Sequence, residues 1–327
     1  MRTDLFLKRI SYQGDPESLL KEICSDFDLG SLQSFEVITI GYEDLNIILV
    51  SDSGRYLVKI LNSSRSPESI ERYAKIIGAV AHAGISHPKA LLTKRGQLLF
   101  TMRHRKHDMS AMAFEYVEGS SFFQFGTNPT LDEVTFFSRE AGKINQIDFE
   151  PPFEYDHWAI VNFRKEYEEK HSYLSADDRG LMTPVFSEFY GFQNIDALPL
   201  AFTHGDILTT NTLRASDGRL FIIDFSVSNY GPRIVELAVL LCDLFFDPSD
   251  QAHTMEMYRT SLRSYGEIID LTDSEKSALP LFLRVAHAQH VLQASYQKGA
   301  LQNLSAENGY WLKKGRAGLE QGLPLPW

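Results

Sequence analysis

Apolar and β-branched residues cluster in short runs along the first third of the chain, at residues 34–40 (SFEVITI), 45–50 (LNIILV) and 55–60 (RYLVKI). Such runs predict strands, and Asp52, Ser53 and Gly54 supply a turn before the third, so the three form an antiparallel meander. The next segment, SPESIERYAKIIGAVAHAGI, changes period. Ser66 and Pro67 take cap and first-turn positions, and Ile70, Tyr73, Ile77 and Val80 recur at helical spacing until Gly84 ends the helix. Two further strands are predicted around 97–102 and 111–117, separated by the turn RHRKHD. Its basic residues, Arg103, His104, Arg105, Lys106 and His107, read as a solvated hairpin loop rather than an anion site.

After Glu118 and Gly119 the pattern becomes helical, at roughly 130–147, 157–172, 176–192, 233–246, 251–266, 273–296 and 305–320. Between the third and fourth of these lies PLAFTHGDILTTNTLRASDGRLFIIDFS, a loop followed by two short strands joined at Asp217 and Gly218. The pattern therefore predicts an α+β protein of two lobes around one cleft. Residues 1–118 form a small antiparallel sheet with one helix, and residues 119–327 a larger, mostly helical lobe.

Composition narrows the function more than the fold. The chain has 327 residues, 43% of them apolar and 23% charged, which fits an ordinary globular protein. A formal charge of −11 argues against a nucleic acid or an anionic membrane as the main partner, since either is repelled over most of the surface. Cys24 and Cys242 stand far apart and outside any C-x-x-C pair, so both are expected to be small buried residues rather than parts of a disulfide or thiolate zinc site. The start of the chain lacks a signal-peptide core and no run of 18 apolar residues occurs, so the expected address is the cytoplasm.

The strongest chemical signal is His204-Gly205-Asp206, then Asn211 five residues after the aspartate, then Ile222-Ile223-Asp224-Phe225. Four fixed letters recur by chance about once in 1.6 × 10⁵ positions, so this spacing is specific. Transfer of a γ-phosphoryl group needs a carboxylate that orients the attacking hydroxyl and takes its proton. It also needs oxygen ligands that hold Mg²⁺ against nucleotide phosphates. Asp206 suits the first role, while Asn211 and Asp224 suit the second, one amide and one carboxylate.

With these residues the chain resembles the aminoglycoside phosphotransferase and choline kinase family, whose signature is H-G-D-x-x-x-x-N followed by an apolar strand ending in I-D-F or I-D-W. The resemblance spans most of the chain and implies a bilobal protein-kinase-like fold using ATP and Mg²⁺. Asp206 is then the catalytic base, Asn211 and Asp224 bind magnesium, and His204 braces the loop. Lys59, in the strand sequence V-K-I, matches the lysine that contacts the nucleotide phosphates. Its expected partner is a helix acid, Glu71, with Glu68 one turn away as substitute. Gly41 opens the turn GYEDLN where the nucleotide loop is expected, although an ordinary hairpin turn explains those residues nearly as well. The Glu115 carbonyl and Val117 amide match the hinge that pairs with adenine. Glu236 is expected to brace the catalytic loop through backbone hydrogen bonds.

Within that family the turn Y-E-D-L-N, the stretch N-Y-G-P-R-I-V-E-L-A and the helix ALPLFLRVAHAQH look most like type II homoserine kinases and hydroxylysine kinase-like proteins. The implied substrate is the hydroxyl of a small amino alcohol, bound by a monomer or homodimer without nucleic acid or membrane. Arg284, His287 and His290 are candidates for a substrate carboxylate, and Trp158, Tyr155 and Tyr167 for a quaternary ammonium, although core packing explains the aromatics better. Choline or aminoglycoside kinase activity, a pseudokinase and a metal-dependent hydrolase are the competing readings. The intact Asp206, Asn211, Asp224 and Lys59 argue against a pseudokinase.

Overall fold

The computed structural model describes residues 2–38, 44–105, 107–192 and 195–326. These fall into two compact units, residues 1–118 and 119–327.

The first unit opens with two helices that the strand pattern did not announce, α1 (Arg2–Ile10) and α2 (Pro16–Asp26). Asp15 caps α2 by accepting the Glu17 and Ser18 amides, and Pro16 occupies the first helical turn. Next come β1 (Leu32–Ile38), β2 (Leu45–Ser51) and β3 (Gly54–Ile60), then α3 (Pro67–His82), β4 (Phe100–His104) and β5 (His107–Glu115). The strands form one antiparallel sheet in the order β1-β2-β3-β5-β4, so the expected meander is present and a β4–β5 hairpin joins its far edge. The sheet thus carries three helices rather than one.

Alternation in β3 sorts its side chains between the two sheet faces. Val58 and Ile60 join Leu19, Leu20, Ile23, Ile47 and Leu49 in a core built with α1 and α2. Lys59 faces the other way, with its Nζ 5.3 Å from the ring centroid of Tyr73 on α3. β4 starts at Phe100 rather than 97 because Thr93 and Gln97 close a tight loop on each other. The basic hairpin is shorter than expected. Arg103 and His104 continue β4 and pair with Asp108 and His107, and Arg105 turns the corner with a φ of 54°.

The second unit contains β6 (Gly119–Ser121), α4 (Phe122–Phe125), α5 (Leu131–Ile144), α6 (Phe163–Lys170) and α7 (Ala176–Gly191). β7 (Leu200–Thr203), β8 (Thr212–Ala215), β9 (Leu220–Ile222) and β10 (Asn229–Pro232) follow, then α8 (Ile234–Cys242), α9 (Gln251–Gly266), α10 (Asp273–Ala300) and α11 (Ala306–Gln321). β8 and β9 are the two strands expected around Asp217 and Gly218; β6 adds a third to their sheet, and β7 pairs with β10.

Every residue of α8 is buried, as its sequence IVELAVLLC requires, since a helix apolar all round has no face to give to water. It packs against α10, α5 and α9. α10 is started by a reciprocal cap, Thr272 with Glu275, and runs 28 residues. Cys24 and Cys242 are free and buried, as expected. Among the described residues no helix is long and apolar enough to cross a membrane.

Candidate active site

The loop between β7 and β8 carries His204 through Asn211. Gly205 adopts a φ of 76°, which a side chain would strain, and the reversal lets the Asp206 amide donate to His204 Nδ1 at 3.1 Å. The other ring nitrogen of His204 donates to the Ile223 carbonyl at 3.0 Å. His204 is fully buried, and burial lowers its pKa to about 4. It stays neutral and ties the loop to the segment that carries Asp224, the structural role expected of it.

Asn211 closes the loop on Asp206. Its Nδ2 donates to the Asp206 carbonyl at 3.0 Å and to the Asp206 carboxylate at 2.6 Å, which directs the amide oxygen elsewhere. Asn211 also accepts the Ile223 amide on its backbone carbonyl at 2.9 Å, joining it to the residue before Asp224. Asp224 itself stands in the left-handed region with a φ of 66°. Desolvation raises the Asp206 pKa well above the carboxylate range, and the nearby Asp156, Asp224 and Asp243 raise it further. The three motif residues are therefore brought together.

Two carboxylates clamp this loop from α8. Glu236, fully buried, accepts the His204 amide at 2.6 Å and the Gly205 amide at 2.9 Å, the brace expected of it. Burial pushes its carboxyl up to about 7 against the pull of those amides. Asp243, just past the end of α8, accepts the Thr209 amide at 2.7 Å and the Tyr310 hydroxyl at 2.7 Å, and pairs with Lys314 at 3.0 Å. Desolvation of Asp243 is more than offset by Lys314 and the Thr209 amide, so its pKa lies below the usual range. Seven residues of helix span about 10 Å, enough for one face of α8 to hold both ends of the loop. Asp243 escaped the sequence reading, although an acid closing an otherwise apolar helix is its visible mark.

A pocket opens beside Asp206. It is lined by Asp206, Leu208, Trp158, Cys242, Gln289 and His290 among others, and its empty space is about 290 Å³ including the mouth. Of the candidates for the substrate head, only His290 and Trp158 line it. His287 packs against Phe246, Arg284 pairs with Glu188 at 2.6 Å, Tyr155 donates to Glu166 and Tyr167 stacks on Phe186.

In the first unit, the partner expected for Lys59 is corrected. Lys59 Nζ lies 3.4 Å from the buried carboxylate of Asp44, while Glu71 pairs with Lys75 at 2.9 Å on the surface. The rotation of α3 decides this. With Ser66 as cap, the buried face is Arg72, Tyr73, Ile76, Ile77 and Val80, and Glu68, Glu71 and Lys75 form an exposed stripe. Asp44 also accepts the Asn62 amide at 2.9 Å and both Arg65 Nε and Nη2, at 3.0 and 3.2 Å. Glu115 ends β5, its amide bonded to the Lys89 carbonyl, and Val117 follows outside any element. Gly41 lies outside the described residues.

Among the described residues, no three His, Cys, Asp or Glu side chains gather in a way that could hold a metal. The donor set at the loop is of another kind: the Asn211 amide oxygen and the Asp224 carboxylate are hard ligands, and such a pair suits Mg²⁺ completed by phosphates and water.

The sequence profile described as the phosphotransferase enzyme family matches residues 34–276, about three quarters of the chain. The chain belongs to this family. A homoserine kinase of Afipia carboxidovorans is 22% identical over 277 residues, covering 84% of this chain and 82% of the relative. An amicoumacin kinase solved with AMP-PNP and Ca²⁺ superposes with a TM-score of 0.68 at 18% identity, covering 95% of each chain. A microcompartment-associated aminopropanol kinase gives a TM-score of 0.66 at 14% identity, covering 93% of this chain and 96% of its own. These likenesses establish a kinase-like fold, with a five-stranded antiparallel sheet ahead of a larger helical part. The phosphotransferase is thus a small-molecule kinase by family.

Proposed function

We propose that this phosphotransferase moves the γ-phosphoryl group of ATP, with Mg²⁺, to the hydroxyl of a small amino alcohol. The observation that carries the proposal is the Asp206 carboxylate, one oxygen held by Asn211 at 2.6 Å, facing a small pocket from a loop clamped at both ends. Asp206 accepts the proton of the acceptor hydroxyl as its oxygen bonds to the γ-phosphorus and the bond to the β-phosphate oxygen breaks. Asn211 leaves the second carboxylate oxygen for that proton and presents its amide oxygen, with Asp224, to the metal. When bound, magnesium would supply positive charge that offsets the phosphate charge and favours the ionised form of Asp206. Lys59, positioned by Asp44, is the proposed ligand of the nucleotide phosphates, and the Glu115 carbonyl and Val117 amide those of adenine.

The amino alcohol is supported by the homoserine kinase relative and by the aminopropanol kinase of like fold. The test is ADP formation with and without candidate alcohols. A kinase shows Mg²⁺-dependent ADP release stimulated by its acceptor, whereas equal release of phosphate without acceptor would make the protein a hydrolase and refute the proposal.

A further inference from the structure

We propose that the pocket beside Asp206 takes the acceptor by a protonated amine that donates a hydrogen bond to the side-chain carbonyl of Gln289, and that this acceptor carries no carboxylate. The inference rests on Asp206 being the base of the phosphotransfer above and narrows the class of alcohol it faces.

Gln289 on α10 is 1% exposed and lines the pocket. Its Nε2 donates to the backbone carbonyl of His157 at 2.5 Å, which fixes the amide orientation, because the opposite flip would set two carbonyl oxygens against each other. Gln293, one turn along, donates to the same carbonyl at 2.7 Å. The Oε1 of Gln289 is thereby left buried without a hydrogen-bond partner. A buried carbonyl without a donor is costly, and a ligand N–H restores what the protein leaves out.

The surroundings favour a cation as the owner of that N–H. Asp206 forms part of the wall. Asp156 is carried two residues before Trp158, whose amide it accepts at 2.9 Å, and the Trp158 indole makes an aromatic wall beside His290. His290 is held neutral, its pKa lowered to about 4 by burial, so it brings no positive charge. Among the described residues the lining contains no lysine or arginine. Arg284, the cation that the sequence offered for a carboxylate, is occupied by Glu188. A zwitterionic acceptor would set its carboxylate against Asp206 and the Gln289 carbonyl, while Lys314, whose charge acts on His290, is already paired with Asp243.

Homoserine and 3-aminopropan-1-ol form a matched pair, differing only by the carboxylate, and the N,N,N-trimethyl derivative of the latter removes the N–H donors. Calorimetric titration of the full chain with these three, in the presence of a non-hydrolysable ATP analogue and Mg²⁺, reads the pocket independently of turnover. The expected order is 3-aminopropan-1-ol at least tenfold tighter than homoserine, with the trimethyl derivative also at least tenfold weaker. Gln289→Met should abolish the preference for the primary amine. Should Gln289→Met fail to fold, the ranking on the wild-type protein still decides. Homoserine binding as tightly as the decarboxylated amine, or the trimethyl derivative binding best, would overturn the inference. Acceptor-stimulated ADP formation, measured in parallel, tests the phosphotransfer reading separately.

Discussion

The catalytic loop and the pocket wall lie side by side in the second unit and are built on opposite principles. On the loop the backbone is tied down. The His204, Gly205, Asp206 and Thr209 amides end on a buried side chain, and Asn211 secures the Asp206 carboxylate. On the wall, Gln289 Oε1 and His290 Nδ1 are buried and unpartnered. A fixed loop suits a reaction whose geometry is the same for every acceptor, because misplacing a reacting group by about 1 Å costs on the order of 10²-fold in rate. An unfinished wall suits recognition, since its missing partner is the substrate. Reaction and reactant are thus written in different places.

That contrast predicts a split in mutant kinetics. The largest effect is expected for Asp224→Ala, which removes the carboxylate proposed to hold the metal: kcat should fall about 10³-fold or more, seen as lost ADP formation at saturating acceptor. A fall confined to KM would remove Asp224 from the chemistry. Next is Glu236→Ala, which touches neither substrate in this account. Releasing two buried amides should lower kcat by about 10²-fold and stability by about 2–4 kcal/mol, read from denaturant unfolding. Full activity in that variant would show that the clamp does not position the loop.

Both regions also hold buried neutral histidines, His204 in the loop and His287 and His290 in α10, with pKa values lowered by burial to about 4, 3 and 4. At these sites the unfolded chain binds more protons than the folded one below the ordinary pKa near 6.5, so each histidine carries up to about 3 kcal/mol of stability that is lost as pH drops from about 6.5 toward 4. Glu236, raised to about 7, and Asp206 and Asp156, also raised by burial, work in the opposite direction over part of the window. Unfolding free energies of the wild type and His287→Gln at pH 7 and pH 5 isolate the histidine share: the wild type should lose more stability on acidification than the variant, and an identical change in both would contradict the buried neutral state. The smallest effects concern the first unit. Asp44→Ala should raise the KM for ATP several-fold and Glu71→Ala should change it less than twofold; the reverse order would restore the helix acid as the partner of Lys59.

What the sequence disclosed follows the same division. His204, Asp206, Asn211 and Asp224 were legible because the chemistry demands particular letters at fixed spacing, and the strand and helix periods placed them in a loop between short strands. Glu236 could be read as a brace because it opens an apolar helix just after the motif. Glu71 misled because a helix acid near a strand lysine fits a pattern, whereas the choice between Glu71 and Asp44 depends on how α3 is rotated by its cap. α1 and α2 were passed over although Asp15, Pro16, Leu19, Leu20 and Ile23 carry a cap and a helical stripe. Gln289 had no signal at all. It sits in a helix buried on nearly every side, and only the direction of one amide, set by the His157 carbonyl, distinguishes it from its neighbours.

The central claim is that Asp206 is the base of a phosphoryl transfer, and the most direct measurement is kcat with the best acceptor alongside ATP affinity in Asp206→Asn. The substitution keeps size and the contact with Asn211 while removing the proton acceptor. The account predicts a kcat lower by at least about 10³-fold with ATP affinity within about threefold of wild type; turnover near the wild-type rate would contradict it.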